Sequence, residues 1–213
     1  MAKMMNWRKT EKRLREKRLW IFGPRDLMRL FGASRTAAAF FVYRNTRRKL
    51  LVRLKKSRKE SLYALADHLP DQYIIANRLY EPSYISMDAA LSFHKIIPET
   101  IYPVTSVTTK ATRQFTVANT IYSYSRIKID VYMGYRAVKY SGATVLMADP
   151  EKALADYLYF IDLGKRTFQY ERLDLKKIRK RKLLEYLKLY RRKGIIKLTE
   201  QIYAECRRPK KLY

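Results

Sequence analysis

The chain is poor in the residues that form disulfides and metal sites. Among its 213 residues Cys206 is the only cysteine, which excludes an intramolecular disulfide and a cysteine-based zinc site. The two histidines, His68 and His94, are far apart in sequence. His94 falls in a mostly apolar helical pattern, where a histidine is more often a core residue than a metal ligand. We therefore predict no metal, no cofactor and a reducing, cytoplasmic location.

Long hydrophobic runs are also missing. No apolar segment approaches the roughly 18 residues that a membrane-spanning helix needs. The basic N-terminal segment is not followed by the apolar core of a signal peptide. Both absences predict that the chain has no membrane partner, and both agree with a cytoplasmic location.

The motifs of common enzyme active sites are absent as well. The chain has no Gly-rich phosphate loop, no HExxH and no GxSxG. Glu151, Lys152 and Asp156 lie together on one predicted helix, and carboxylates near a lysine occur in nuclease metal sites. Glu151 and Lys152 are adjacent, however, so they point about 100° apart on a helix, and capping, dipole pairing and surface ion pairs explain them more simply. The sequence thus predicts a protein without catalytic residues, with a nuclease as the minor alternative.

Acidic residues are scarce and unevenly distributed. The formal net charge is +28, because 47 Lys and Arg face only 19 Asp and Glu. Residues 1–60 carry a net charge of +16, residues 61–165 are neutral overall, and residues 166–213 carry +12. A chain this basic favours an anionic partner, such as DNA or RNA. A neutral middle domain is therefore flanked by two segments suited to meet negative charge.

Glycine is scarce too, so each of the six glycines is expected at a boundary where the backbone needs freedom. The residue pattern predicts a first helix over residues 6–21. Gly23 and Pro24 then begin a second helix, PRDLMRLF, which Gly32 ends. Ser34 is the expected N-cap of a third helix. A short helix, a tight turn and a longer helix have the spacing of a helix-turn-helix.

The third helix, over residues 35–48, has an apolar face and a basic face. Ala38, Phe41, Val42 and Asn45 recur at helical spacing and are expected to face the core. The other side, which also carries an aromatic residue at position 40, is then free to meet a partner.

That other side is predicted to contact DNA. Arg35 and Arg44 are candidates to read guanine edges, and Thr36 or Ala37 to touch a thymine methyl. Tyrosine and arginine further along the helix suit phosphate contacts equally well. The residues assigned to this contact are Ser34, Arg35, Thr36, Ala37, Tyr43, Arg44, Arg47 and Arg48.

Residues 50–54 and 61–65 are short β-type segments that flank the basic sequence KKSRKE, residues 55–60. Two short strands with a basic tip after a helix-turn-helix are typical of a wing. An ordinary exposed hairpin has the same pattern, and the neighbouring basic helix favours the DNA reading. The wing cations expected to meet the DNA backbone or minor groove are Lys55, Lys56, Arg58 and Lys59.

The charge density falls near residues 66–70, where we place the domain boundary. Downstream, alternating β-branched segments predict strands and the sequence DPEKALADYLYFI predicts a helix that begins with a proline. We therefore predict an α+β fold. It consists of a winged helix-turn-helix in residues 1–66, a mixed α/β domain in residues 67–165, and a basic helical segment in residues 166–213.

Two stretches of the predicted middle domain carry a family resemblance. YISMDAALSFHKIIPETIYPVTSVTTKATRQF, residues 84–115, is similar to YIS-x-x-x-AL followed by V-T-x-V-T-x-x-x-T-R-x-F. ADPEKALADYLYF, residues 148–160, is similar to PEKAL-x-D. Both patterns belong to the AbiEi family, the antitoxins of type IV toxin–antitoxin systems and related transcriptional regulators of viral defence. The matching motif residues are Tyr84, Ser86, Thr108, Arg113, Pro150, Glu151, Lys152 and Asp156.

The resemblance implies a two-domain antitoxin. Its N-terminal domain would bind inverted repeats in its own promoter, as a monomer or weak dimer on DNA, and repress transcription. Its C-terminal domain would counter a nucleotidyltransferase toxin without forming a stable complex. The chain departs from the family pattern at Asn45, where a core leucine is usual, and at Lys49, where a glycine is common. The wing KKSRKE also lacks the usual glycine, and the segment after residue 165 is unusually basic.

Two alternatives remain from the sequence. The first alternative to the antitoxin is an RNA-binding protein that uses its basic C-terminal segment. The second is a stand-alone DNA-binding regulator without a toxin partner. Duplex DNA should bind with strong sequence preference if the chain is a regulator, and poorly if its target is RNA.

Overall fold

A computed structural model describes residues 5–57, 60–98, 102–167 and 173–207, with side chains described as far as residue 204. Helices and two β-sheets make the protein a mixed α+β structure, which confirms the predicted class. The chain divides into two compact units between Leu79 and Tyr80. This division lies after the predicted boundary at residues 66–70, because the helix that follows that segment contacts a strand of the first unit.

The first unit combines four helices with a three-stranded antiparallel sheet, counting the described residues. The strand order is β1-β3-β2, so the last strand in sequence lies between the other two. Its elements are α1 (Trp7–Glu16), β1 (Ile21–Phe22), α2 (Pro24–Phe31), α3 (Arg35–Arg47), β2 (Leu51–Lys55), β3 (Leu62–Leu65) and α4 (Gln72–Leu79).

The predicted first helix, residues 6–21, is wrong at its C-terminal end. Helix α1 ends at Glu16, and Arg18 adopts a left-handed backbone conformation (φ 51°) that turns the chain. Ile21 and Phe22 then pair with β3 as strand β1. Both side chains are buried, so tertiary pairing and burial outweigh the helix-forming tendency of this basic segment.

The core of the first unit gathers apolar residues from α1, α2, α3 and the sheet. Leu14, Phe22 and Leu27 are fully buried, and Phe41 is almost so. The Trp7 ring stacks on Phe41 with 6.0 Å between ring centroids. Burying such side chains contributes roughly 1.5–3 kcal/mol each, which fixes α3 against the rest of the unit.

Two of the departures from the AbiEi pattern, Asn45 and Lys49, have structural consequences. Asn45 is completely buried; its Nδ2 donates to the Phe41 carbonyl at 2.8 Å, and its Oδ1 has no hydrogen-bond partner among the described residues. Lys49 has φ 58°, a left-handed conformation that glycine adopts without strain. Asn45 thus occupies a core position where leucine would leave no polar atom unpaired. Lys49 occupies a turn where glycine would be less strained.

The second unit contains a six-stranded mixed sheet with the order β6-β7-β5-β4-β9-β8. Pairs β4–β9 and β5–β7 are parallel and the remaining pairs are antiparallel. Helix α5 packs against α6, which also contacts α7 and α8. The elements are β4 (Ser83–Ile85), α5 (Met87–Phe93), β5 (Val104–Thr108), β6 (Arg113–Val117), β7 (Thr120–Arg126), β8 (Tyr135–Tyr140), β9 (Ala143–Ala148), α6 (Pro150–Asp162), α7 (Lys180–Leu189) and α8 (Lys193–Arg207).

Strands are present downstream of residue 70, as predicted, and two of them, β6 and β7, form a hairpin with its turn at Ala118 and Asn119. Both turn residues have positive φ, 44° and 66°, as a two-residue hairpin turn of the primed type requires. The predicted start of α6 at Pro150, directly after Asp149, is also confirmed.

Candidate nucleic-acid interface

A tight turn separates α3 from α2, as the sequence predicts. Gly32 takes the left-handed conformation (φ 61°) after α2, which suits glycine because it has no Cβ. The Ser34 hydroxyl then accepts a hydrogen bond from the Ala37 amide at 3.2 Å and caps α3. These two devices fix where the outward face of α3 begins.

The predicted core face of α3 is confirmed. Ala38, Phe41, Val42 and Asn45 are its buried residues, with at most 4% exposure. The residues assigned to DNA contact lie on the other side, where Ala37 and Arg44 are partly buried and the exposed ones are Ser34, Arg35, Thr36, Tyr43, Arg47 and Arg48.

Arg44 is partly buried and contacts other residues of the first unit. Its Nη2 donates to the Met5 carbonyl at 3.2 Å, its guanidinium lies 5.7 Å from the Phe40 ring centroid, and its buried Nε has no partner among the described residues. Arg44 therefore holds the segment before α1 against α3. Of the two predicted guanine readers, Arg35 has the exposed side chain.

Tyr43 and Arg47 form an exposed pair one turn apart on α3. The Arg47 Nη1 donates to the Tyr43 hydroxyl at 3.4 Å, and the guanidinium lies 6.0 Å from the ring centroid. A tyrosine that orients an arginine at the surface is suited to a phosphate, since both groups donate hydrogen bonds to it.

Phe40 is a functional candidate that the sequence analysis did not assign. Its side chain is 55% exposed, on the same outward side as Thr36 and Arg47, which are four and seven residues away on the helix. It lines a groove of about 210 Å³ together with Ala37 and Met5. The available signal was an apolar residue off the core face of an otherwise amphipathic helix. Exposed aromatic and methyl-sized side chains at such a surface suit the methyl group of thymine.

The predicted wing follows β2. Strands β2 and β3 pair with a register shift between Arg53 and Lys55. The Ser61 hydroxyl donates to the Ser57 carbonyl at 3.2 Å and accepts from the Ser57 amide at 3.3 Å, which closes the loop. Lys56 is exposed and Lys55 is partly buried, whereas the predicted contacts Arg58 and Lys59 lie outside the described residues.

In the second unit, four of the eight motif residues form one buried network, in which three of them bind the carboxylate of the fourth, Asp156. Asp156 Oδ2 accepts hydrogen bonds from the Tyr84 hydroxyl at 3.0 Å and the Ser86 hydroxyl at 2.6 Å. Lys152 Nζ lies 2.7 Å from Asp156 Oδ1 and 2.7 Å from the hydroxyl of Tyr190, which also donates to Asp156. The side chains of Lys152 and Asp156 have no exposure, so they are out of a substrate's reach.

Burial and the Asp156 charge hold the pKa values of Tyr84 and Tyr190 well above that of an ordinary tyrosine. Both hydroxyls therefore stay protonated and remain donors to the carboxylate. Gly134 lies against this network, where an added Cβ would come within 2.9 Å of the Lys152 side chain. These motif residues thus form a polar centre of the fold that joins β4, α6 and α7.

The other four motif residues are dispersed. Thr108 is buried and its hydroxyl donates to the Pro82 carbonyl at 2.7 Å. Arg113 is exposed, 5.6 Å from the Tyr80 ring centroid. Pro150 occupies the first turn of α6. Glu151 is buried and paired with the basic C-terminal segment.

Two cations of the basic C-terminal segment, Arg179 and Lys182, are paired with α6 and its N-cap. Glu151 Oε1 accepts from Arg179 Nε at 2.9 Å, and Lys182 Nζ lies 2.7 Å from Asp149 Oδ2. Burial acts to raise the pKa of Glu151, but the bonds from Arg179 and the Lys182 charge outweigh it, so the pKa is lowered. These pairs reduce the cationic surface that the segment offers to RNA.

His94 is a partly buried histidine, as its apolar pattern predicts. Its Nε2 donates to the Ala148 carbonyl at 2.8 Å. Burial is the main influence on its pKa and lowers it, and the nearby Arg136 charge acts in the same direction. No group of three His, Cys, Asp or Glu side chains suited to a metal ion occurs in the described part of the chain.

The comparisons with known proteins leave the family open. The chain matches no family model, and no curated protein matches it significantly. None of the helices in the described ranges is both long and apolar enough to span a bilayer.

Proposed function

We propose that the chain is a DNA-binding transcriptional repressor and that its first unit is a winged helix-turn-helix. The order of elements supports this. Helix α1, a short strand, two helices separated by a tight turn, and a hairpin with a basic loop follow one another. The first strand joins the hairpin in a three-stranded sheet.

The observation that carries the proposal is the outward face of α3. One side of this 13-residue helix is buried, and Arg35, Tyr43 and Arg47 are exposed on the rest of its surface. Arg48, its C-cap, is exposed as well, and Ala37 and Phe40 line a small apolar groove. An α-helix fits the roughly 12 Å width of the DNA major groove. The cations then serve both phosphates and base edges, and the groove accepts a methyl group.

Within this proposal the chain acts as an AbiE-like antitoxin that represses its own promoter and counters a nucleotidyltransferase toxin without a stable complex. The motifs at residues 84–115 and 148–160 support it. Tyr84, Ser86 and Lys152 bind the Asp156 carboxylate, so half of the motif residues belong to one network of the second unit.

An expression test addresses the repressor and antitoxin roles separately. A reporter driven by the DNA upstream of the chain's own gene should be repressed by the wild type. Arg35→Ala should relieve repression, whereas Arg181→Ala, which removes an arginine 96% exposed on α7, should not. Unchanged reporter activity with the wild type would contradict repression. Rescue of growth by the second unit during expression of a neighbouring nucleotidyltransferase tests the antitoxin role.

RNA binding is the second candidate, supported by the net charge of +12 over residues 166–213. The ion pairs of Arg179 and Lys182 with α6 and its N-cap count against a fully exposed cationic surface there. Tighter binding of structured RNA than of the upstream duplex DNA would favour this candidate over the repressor.

A further inference from the structure

A pocket of about 310 Å³ lies in the second unit, between the turn after β7 and the turn that joins α7 to α8. Its volume is at the low end of the ~300–1,000 Å³ that small-molecule sites occupy. The polar and aromatic side chains that line it are Lys128, Asp130, Tyr159, Tyr190, Arg191 and Arg192.

The lining is cationic. Lys128 and Arg191 are exposed, and neither forms an ion pair with any residue that the structure describes. Arg192 is paired with Asp162 on α6, and Asp130 is the single carboxylate among the described residues that line the pocket. Two unpaired cations at a concave surface concentrate the local field on one anionic group.

One wall of the pocket is aromatic, and hydrogen bonds to buried residues fix one of its two tyrosines. The rings of Tyr159 and Tyr190 stack with 4.4 Å between centroids and 23° between planes. The Tyr190 hydroxyl is bound to both Lys152 and Asp156, so its ring is fixed by the buried network. A planar group that enters the pocket therefore meets a rigid aromatic surface.

The turn that carries Arg191 is also held. Arg191 has φ 53°, and its amide donates to the Lys188 carbonyl at 3.0 Å. The next residue, Arg192, binds Asp162, which packs directly against Gly194 at the start of α8. The cation is thus presented on a backbone that has little freedom to withdraw.

We propose that this pocket binds a nucleoside monophosphate, with the phosphate between Lys128 and Arg191 and the base against Tyr159. The phosphate needs two cations in reach, and the base needs a planar wall. A free mononucleotide and the 5′-phosphorylated end of an RNA strand present the same group. The residues that line this pocket belong to the second unit, so the proposed binding does not require DNA binding by the first unit.

Calorimetric titration of the full-length chain at ~150 mM salt tests the proposal, because this salt concentration screens exposed charges beyond about 8 Å. We expect adenosine monophosphate to bind at least about tenfold more tightly than adenosine or inorganic phosphate. Arg191→Gly, which suits the left-handed backbone, and Lys128→Ala should each weaken binding about tenfold. Arg181→Ala, with an exposed side chain on α7, should leave it unchanged.

Three outcomes overturn the proposal. These are no binding of adenosine monophosphate by the wild type, equal affinity for adenosine, or equal weakening by Arg181→Ala. Tyr159→Leu separates the aromatic part, since it should weaken adenosine monophosphate but not inorganic phosphate. A short RNA that binds this pocket only when 5′-phosphorylated would assign the strand end as the source, and equal binding with a 5′-hydroxyl would leave the free nucleotide.

Discussion

Lys152 and Asp156 lie one turn apart on α6, with Nζ 2.7 Å from Oδ1 and neither side chain exposed to solvent. A buried charge is tolerated only when its remaining polar atoms are satisfied. Tyr84, Ser86 and Tyr190 supply those bonds from β4, the residue before α5, and the end of α7. The network therefore fastens distant segments of the second unit to one helix.

Removing one member of this pair should be strongly destabilising. Lys152→Met leaves the Asp156 carboxylate buried without its cation, and such losses cost about 3–5 kcal/mol. Urea unfolding should show this loss in the transition of the second unit. Arg181→Met breaks an exposed pair of the same i,i+4 spacing with Glu185 and should cost less than about 1 kcal/mol. Similar losses for both variants would contradict a structural role for the network.

The unpaired Oδ1 of buried Asn45 should make this position improvable. Asn45→Leu introduces the leucine that is usual in the AbiEi pattern the chain resembles and removes an unsatisfied acceptor, and we expect a gain of about 1 kcal/mol in the free energy of unfolding. Asn45→Asp keeps the shape but buries a carboxylate against the Phe41 carbonyl, so it should lose at least ~2 kcal/mol near pH 7. Equal losses of unfolding free energy in Asn45→Leu and Asn45→Asp would contradict a cost of the unpaired Oδ1.

His94 should give the fold a pH dependence near neutrality. Because burial lowers its pKa in the folded state, the unfolded chain takes up a proton near its ordinary pKa of about 6.5 while the folded protein stays neutral. This contribution to stability is full above pH ~6.5 and falls as the pH drops toward the folded pKa. His94→Gln keeps a donor for the Ala148 carbonyl and should remove this slope between about pH 7 and 5. Thermal unfolding across that range measures it, and an identical slope in the variant would contradict it.

Phe40 should read thymine if α3 enters the major groove. Replacing the contacted thymine by deoxyuridine removes one methyl group and should weaken wild-type binding by ~0.8 kcal/mol, about fourfold. Phe40→Ala should bind both DNAs alike. The control Ile129→Ala removes an apolar side chain that is 70% exposed in the second unit and should keep the preference. Persistent discrimination in Phe40→Ala would remove Phe40 from the contact.

The elements that the sequence predicts well are those whose signals are local. The Gly32 turn, the Ser34 cap and the core face of α3 depend on residues within a few positions of one another. The start of α6 at Pro150 is equally local. Caps, glycines and helical periodicity act over one or two turns, which a single sequence displays directly.

The features that the sequence analysis missed depend on distant partners. Strand β1 has two residues, too few for a periodic pattern, and forms because Ile21 and Phe22 find β3 some 40 residues later. The bond from Tyr84 to Asp156 spans 72 positions. Adjacent Glu151 and Lys152 both turn out to be buried, because α6 is covered on several sides. No local pattern encodes which segments cover a helix.

The most direct test of the central claim compares binding of the DNA upstream of the gene with a scrambled duplex, measured by fluorescence anisotropy over a range of salt. The account predicts strong preference for the upstream DNA and a loss of ~1–3 kcal/mol of that preference in Arg35→Ala, with Arg181→Ala unchanged. Lys56→Ala should weaken both duplexes alike and flatten the salt dependence. Equal affinity of the wild type for upstream and scrambled DNA would contradict the claim that α3 reads sequence.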